Sequence, residues 1–398
     1  MGKADKTTAN LTRRTVMIGL GAGAVASSTP GLGFASELEF QKGAVIRTVL
    51  KDYAPADLAG GATLFHEHMS LRDGFLVDWL RHSAETRIAN QPPGLQPKPA
   101  GPAGAAVGVI AAPAGLTGAA AGVAAAPAGN FLVDEDLMAD EMAIAKREGI
   151  GCIVDAGHPD MGRNVDFLRR ISQRSGLPIV ASAGFYTQPF YPKALAAWSE
   201  DRVFEEIMKQ VRANPTGALG EIGSWDYMTK DERKVFRAVG RAHKATNLPI
   251  FTHTGIPGKS ALEQLDILED AGVDPRRVAI GHLGNLVDPN AEIQRAIIRR
   301  GAFIGIDRQG GAGDAQVTPM VVSLINQGYA DHLMFSSDLS SPREIKRSNP
   351  QGGGYAKTLT VFVPKLRAAG VSEETLHQIM YDNPRRFLAF VPKIRRAA

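Results

Sequence analysis

At 398 residues with 44% hydrophobic content, the chain can bury a large core, and a single α/β barrel of 250 residues or more fits inside it. The formal net charge is only +4, with basic residues scattered rather than gathered into a stripe among aromatics, which argues against a nucleic-acid-binding protein. The single cysteine, Cys152, excludes an internal disulfide framework and a thiolate cluster for zinc, and its setting in GCIVDAG reads as core packing.

Residues 12–28, TRRTVMIGLGAGAVASS, join a twin arginine (Arg13, Arg14) to an apolar, Gly/Ala-rich run too short for an ordinary membrane span. This resembles a twin-arginine export signal, with cleavage expected near GFAS at 33–36. The plain alternative is a chance arginine pair ahead of a tail. The expected division is therefore a leader at 1–38 and a catalytic domain at 39–398, exported to the periplasm or beyond with no stable membrane insertion.

The first strand of that domain is GATLFHEH, in which His66 and His68 face the same side because strand side chains alternate. From about 91 to 129 the chain is almost entirely Ala, Gly, Pro and Val, with Lys98 its one charge. Too few large side chains are present to build a core, so this segment is expected to be an insertion, either flexible or a flap over the active face. Asp134 then caps a helix over 133–148. Seven further apolar runs follow: GIGCIVDAG, LPIVASAGFY, TGALGEIGSW, LPIFTHTG, VAIGHLGN, AFIGIDRQ and LMFSSDLS. Helical segments such as ERKVFRAVGRAHKA and SALEQLDILEDAG alternate with them. Eight buried strands alternating with helices predict a parallel (β/α)8 TIM barrel.

Each strand's last residues carry the polar chemistry: His66 and His68 on the first, Glu221 on the fourth, His253 on the fifth, His282 on the sixth and Asp338 on the eighth. Glu221 and His253 are 32 residues apart and His253 and His282 are 29 apart, close to the roughly 30 residues of one barrel unit. The carboxyl ends of barrel strands form the catalytic face, so these six side chains converge there. Four imidazoles and two carboxylates in one mouth are costly to bury unless cations bind them, which points to a pair of divalent metals with Glu221 as the bridge. Of the other histidines, His82 is weak evidence of any role, His158 is placed near the site in a supporting role, and His243, His332 and His377 are expected to be solvated.

The set FHEH, GEIG, FTHT, IGHLGN and SSDLS, with VDAGHPDMGRNVDFL and the C-terminal GGGYAKTLTVFVPKLRAAGVSEETLHQIMYDNPRRFLAF, resembles the phosphotriesterase family of the amidohydrolase superfamily from about Gly61 to Phe390. The resemblance implies His66, His68 and Asp338 on a more buried metal, His253 and His282 on a more exposed one, and a bridging hydroxide. Zinc is expected, with manganese or cobalt also suited. Many members bridge the metals with a carboxylated lysine, whereas GALGEIG offers Glu221 and no lysine, which is similar to the glutamate-bridged homology-protein branch. Asp338 would then be either a pure ligand or the acceptor of the nucleophile's proton. ASAGFYTQPFYP and GIDRQGG resemble the lactonase branch, implying that Tyr186 approaches the substrate and that Asp307 and Arg308 reach the rim. Core packing of Tyr186 and a surface ion pair for Arg308 are the alternatives. The implied substrate is a lactone or carboxylic ester rather than a phosphotriester, with a metal-retaining, non-catalytic barrel as the reading from another class. A homodimer is implied by the resemblance alone.

Overall fold

The computed structural model describes residues 38–89, 131–255, 260–286 and 290–396. Of the leader expected over 1–38, residues 1–37 lie outside the described residues, as does the Ala/Gly/Pro-rich stretch 91–129. Among those described, no helix is long and apolar enough to cross a membrane.

Eight strands pair in parallel and in chain order: β3 (Ala62–Glu67), β4 (Ile150–Asp155), β5 (Ile179–Ala183), β6 (Thr216–Ser224), β7 (Ile250–Thr254), β8 (Val278–Ile280), β9 (Phe303–Ile306) and β10 (Leu333–Phe335). These are the eight apolar runs anticipated from sequence. The gap between first and last is bridged through Ser336, whose Oγ accepts the His66 N–H at 3.1 Å, and by the Asp338 N–H donating to the His66 carbonyl at 3.2 Å. The seam of this nearly closed barrel therefore runs through two of the predicted site residues.

Helices α1 (Phe75–Ala89), α2 (Glu135–Arg147), α3 (Val165–Ser175), α4 (Glu200–Ala213), α5 (Lys230–Thr246), α6 (Ala261–Asp270), α7 (Glu292–Arg299) and α8 (Asp314–Asn326) wrap the sheet. Their starts follow capping chemistry: Asp134 accepts the Leu137 N–H at 3.0 Å as predicted, Asn164 accepts that of Phe167, and Thr229 with Glu232 forms a reciprocal capping box. Two features went unanticipated. The helix α1 stands between β3 and the insertion, and a short antiparallel hairpin, β1 (Ile46–Arg47) with β2 (Asp52–Tyr53), lies ahead of the barrel.

The barrel interior is filled by Phe65, Cys152, Val154, Val180, Ala218, Phe251, Ala279 and Met334, and Ile46 of the hairpin packs with them alongside Phe387 from the C-terminal helix Asn383–Leu388. Cys152 is buried there, its thiol pushed up to about 12 by burial. A second, larger cluster lies between strands and helices, joining residues such as Leu64, Ile153 and Ile179 to Met142, Leu168 and Val239. This double layer makes the strand ends rigid supports for polar side chains. His243, expected to be solvated, is buried in α5, with its Nδ1 2.7 Å from the Leu248 carbonyl. Burial lowers the imidazole's pKa.

Candidate metal centre

The β3–β4 register slips between Leu64 and Glu67. Phe65 stays in the barrel interior while the next residue, His66, turns up into the mouth, its ring 5.5 Å from that of Phe251. His66 and His68 then lie on one side and Glu67 on the other, as alternation predicts. On β6 and after β8, Gly220 and Gly281 precede site residues where neighbouring strands pass too close for a side chain. A Cβ on Gly281 would sit 2.0 Å from the Thr252 carbonyl oxygen, and one on Gly220 would meet the Phe251 ring at 2.4 Å. His282 and Asp338 themselves have φ of 62° and 46°, a left-handed backbone uncommon for such residues and typical of functional sites.

All six predicted ligands meet in the mouth. Glu221 is the hub: its Oε1 is 3.2 Å from His68 Nε2, and its Oε2 is 3.2 Å from His66 Nε2, 3.0 Å from His253 Nδ1 and 3.5 Å from His282 Nε2. Asp338 Oδ1 is 3.1 Å from His68 Nε2 and 3.9 Å from His66 Nε2, while its Oδ2 accepts from Arg308 Nε at 2.8 Å. Two three-residue sets have ligand atoms close enough for one ion each, His66–His68–Glu221 and Glu221–His253–His282. They share Glu221.

Beneath the mouth lies Asp307. Its Oδ2 is 3.0 Å from His66 Nδ1 and its Oδ1 is 2.9 Å from His282 Nδ1, and it also accepts the His282 main-chain N–H at 3.0 Å. The placement of Asp307 at the rim is thus corrected: it is fully buried and orients two imidazoles from below. A carboxylate is acceptor-only, so both Nδ1 atoms carry a proton, and the two Nε2 atoms, turned toward Glu221, are the nitrogens left to ligate. A third close set, His66–His282–Asp307, consists of these hydrogen bonds and leaves no lone pair for an ion.

Glu67, passed over in the sequence, ties the seam on the other face. Its Oε1 accepts the Ser337 N–H at 2.6 Å and lies 2.7 Å from Ser336 Oγ, and its Oε2 accepts the Leu339 N–H at 2.9 Å, bracketing Asp338. Burial pushes this carboxyl up to about 7 against those three donors. Tyr355 donates to the His68 carbonyl at 2.6 Å and Gln264 Nε2 to that of His253 at 2.9 Å. The HEH motif signalled Glu67 by its position, but no local pattern signalled Tyr355 or Gln264.

Electrostatics tests whether this donor set fits cations. Burial alone would raise Glu221, yet His66, His253 and His282 hold it well below the usual carboxylate range. Burial likewise opposes ionisation of Asp338, but Arg308 and His68 outweigh it. His68 is raised to about 10 by Asp338 and Glu221 against the cost of its burial. His253 falls to about 4 through burial and the neighbouring His282. The Nε2 atoms of His66 and His282 face Glu221 Oε2 at 3.2 and 3.5 Å, His66 Nε2 has no hydrogen-bond partner, and His253 Nδ1 stands 2.8 Å from His282 Nε2. Such a mouth draws positive charge onto itself, and divalent cations with N/O preference fit it.

The rim is made by Tyr186, Arg308 and α1. Tyr186 is buried, with its hydroxyl 3.0 Å from His253 Nδ1 and accepting from Trp79 Nε1 at 2.9 Å. It does not bond to backbone through its hydroxyl. Arg308 pairs with Asp338 rather than with a surface group. A cavity beside these residues is lined by Trp79, Ser83, Thr86, Trp225, His253 and Arg308. His158 is fully buried next to Asp160, at 3.5 Å, and Asp160 accepts the Tyr186 N–H at 2.9 Å. It is therefore part of the support behind Tyr186.

A parallel eight-stranded barrel with four histidines and acidic partners at the carboxyl ends of its strands defines a hydrolase-type (β/α)8 site with candidate ligand sets for divalent cations. The chain belongs to the phosphotriesterase family, whose model matches residues 45–388. Among its relatives is the phosphotriesterase homology protein of Escherichia coli, 30% identical over 257 residues, covering 62% of this chain and 86% of the relative. An aryldialkylphosphatase of Saccharolobus solfataricus is 30% identical over 266 residues, 63% and 84% of the two chains. The N-acetyltaurine hydrolase of Danio rerio is 24% identical over 282 residues, 66% and 80%. In structure, the E. coli homology protein with phosphate in its active site aligns with a TM-score of 0.65 at 25% identity, covering 83% of this chain and 99% of that one. A resiniferatoxin-binding protein from Rhodobacter sphaeroides aligns at 0.68 and 26% identity, covering 86% and 94%. The family and these relatives make the chain a hydrolase.

Proposed function

We propose that the protein hydrolyses a lactone or carboxylic ester at a two-metal centre in which Glu221 is the shared ligand. The observation that carries this reading is Glu221 itself, buried and approached by nitrogens of all four site histidines within 3.5 Å. His66 and His68 would hold one ion with Asp338, and His253 and His282 the other, with zinc the first choice and manganese or cobalt as alternatives. Two such ions supply a water of lowered pKa and polarise the scissile oxygen.

The chain's own residues supply the rest. Asp307 holds His66 and His282 in the tautomer that leaves Nε2 free. Asp338 faces both the histidines and Arg308, which suits it to accept a proton from the nucleophile and hand it on, while Arg308 keeps the carboxyl ionised until then. Tyr186 and Arg308 line the approach. A cleaved phosphotriester is the second reading, favoured by the relative named aryldialkylphosphatase. An exported location, through the twin arginine at 13 and 14, belongs to the same proposal.

The deciding experiment loads the protein with zinc, manganese or cobalt, counts metal per chain, and compares kcat/KM on lactones, carboxylic esters and phosphotriesters. Turnover on the first two that chelator abolishes, metal restores and Asp338→Asn reduces by at least about a hundredfold supports the proposal. Higher kcat/KM on phosphotriesters selects the second reading. Two bound metals with no turnover of any class would leave a metal-binding barrel instead.

A further inference from the structure

The helix α1 was not foreseen, and one of its side chains reaches three groups of the mouth at once. The Trp79 indole N–H donates to the Tyr186 hydroxyl at 2.9 Å. Its ring lies 6.1 Å from that of Trp225 at 39°, and the Arg308 guanidinium stands 5.8 Å from its centroid. Arg308 in turn donates to Asp338, and Tyr186 sits 3.0 Å from His253. The cavity at the site is bounded by this same tryptophan, with Ser83 and Thr86 one and two turns further along α1.

Hydrogen-bond valence gives the contact a direction. An indole nitrogen is a donor only, whereas a phenol has one proton and two lone pairs. Tyr186 must accept from Trp79, so its own proton has to go elsewhere, and the His253 ring is the acceptor at hand. Once the His253 nitrogen serves as a ligand it accepts no proton, and the phenol proton is free to turn to an acceptor oxygen brought to the mouth.

We propose that Trp79 is a positioning residue that fixes the Tyr186 hydroxyl as a hydrogen-bond donor to an acceptor oxygen of the substrate. This rests on the hydrolase reading for the identity of that oxygen, the leaving oxygen of an ester or lactone. It also explains why the rim is aromatic: Trp225 is nearly buried with its Nε1 unpartnered, a second donor available to the same ligand. Without Trp79 the Tyr186 proton can rotate away, and the hydroxyl is no longer held as a donor.

Direct binding tests this without turnover. Phenylphosphonate, which is not hydrolysed and offers acceptor oxygens beside a flat ring, is titrated by calorimetry into metal-loaded wild type, Trp79→Phe, Tyr186→Phe and the double variant. Metal per chain is counted in each. Phenylalanine keeps an aromatic ring at this position and removes the donor. Each single variant is expected to bind about five- to tenfold more weakly, the worth of one neutral hydrogen bond, and the double variant no more weakly than Tyr186→Phe alone. Losses that multiply in the double variant, or an unchanged Trp79→Phe, overturn the proposal because Trp79 would then act by packing or not at all. Where turnover is measured, Trp79→Phe should lower kcat several-fold on esters of alkyl alcohols, whose poor leaving groups need the proton. On 4-nitrophenyl esters kcat should hardly change. Equal losses on both ester types count against it. Absence of all turnover sinks the hydrolase reading alone, since the binding cycle is read independently.

Discussion

Replacing Asp307 by asparagine offers a stringent test of the centre, because one buried carboxylate serves both metal sets. Its two oxygens take the Nδ1 protons of His66 and His282 at 3.0 and 2.9 Å, and the His282 main-chain N–H as well. Asparagine has the same shape but only one acceptor oxygen, so at least one imidazole meets an NH2 group instead. That ring must either lose its hydrogen bond or switch tautomer, placing its proton on the Nε2 that faces Glu221. Loss of such an orienting partner costs about 10- to 100-fold in metal affinity, or about 1.4 to 2.7 kcal/mol. His66 and His282 belong to different candidate ion sets, so the ion on the side that loses its acceptor should weaken even though no ligand has been removed. Competition against a chromophoric chelator measures the affinities, and thermal unfolding of the metal-free variant, expected to lose about 1 to 3 kcal/mol for the unsatisfied donor, provides the control. Two ions per chain at wild-type affinity in Asp307→Asn would refute the orienting role and with it the tautomer assignment on which the centre is built.

Further outcomes follow from the other buried polar groups. His68 is raised to about 10, so the metal-free protein carries a proton there at neutral pH that an entering ion must displace. The stabilisation this gives the metal-free fold is complete below the ordinary histidine value of 6.5 and is lost as pH rises through about 10. Metal affinity should therefore climb over that window with proton release, measured by calorimetry in buffers of different ionisation enthalpy, and binding without proton release counts against it. Glu67→Gln sets an amide NH2 against the main-chain N–H groups around Asp338, and unfolding should show a loss of about 1 to 3 kcal/mol that Glu67→Asp restores only in part. An unchanged melting temperature removes the seam-clamp role. Cys152, buried and with its thiol pushed up to about 12, should react with iodoacetamide only after unfolding, as followed by mass spectrometry. Labelling in the native protein contradicts the closed barrel interior.

The residues that stand in the mouth were legible, and those that hold them there were not. His66, His68, Glu221, His253, His282 and Asp338 could be read because each ends an apolar run, and a barrel unit has a nearly fixed length that carries such ends to one face. Even so, the slip between Leu64 and Glu67 that lifts His66 out of the interior leaves no mark in the letters TLFHEH. Asp307 and Arg308 are neighbours after one strand, and both were assigned to the rim. Only the 2.9 and 3.0 Å contacts to two Nδ1 atoms separate the orienting carboxylate below from the guanidinium above. The partners of Glu67 lie some 270 residues away and Trp79 meets Tyr186 across 107, distances over which no local period carries information. The strands β1 and β2, two residues each, are too short to show alternation at all. His243 was misjudged for a related reason: its burial depends on the Leu248 carbonyl beyond the helix end, a local acceptor that composition does not reveal. Periodicity thus reports which side chains a fold presents, while the hydrogen bonds that fix their protons depend on what the fold brings opposite them. Asp307 and Trp79 are where that difference bears on chemistry, since one sets the tautomer of two candidate ligands and the other the direction of the Tyr186 proton.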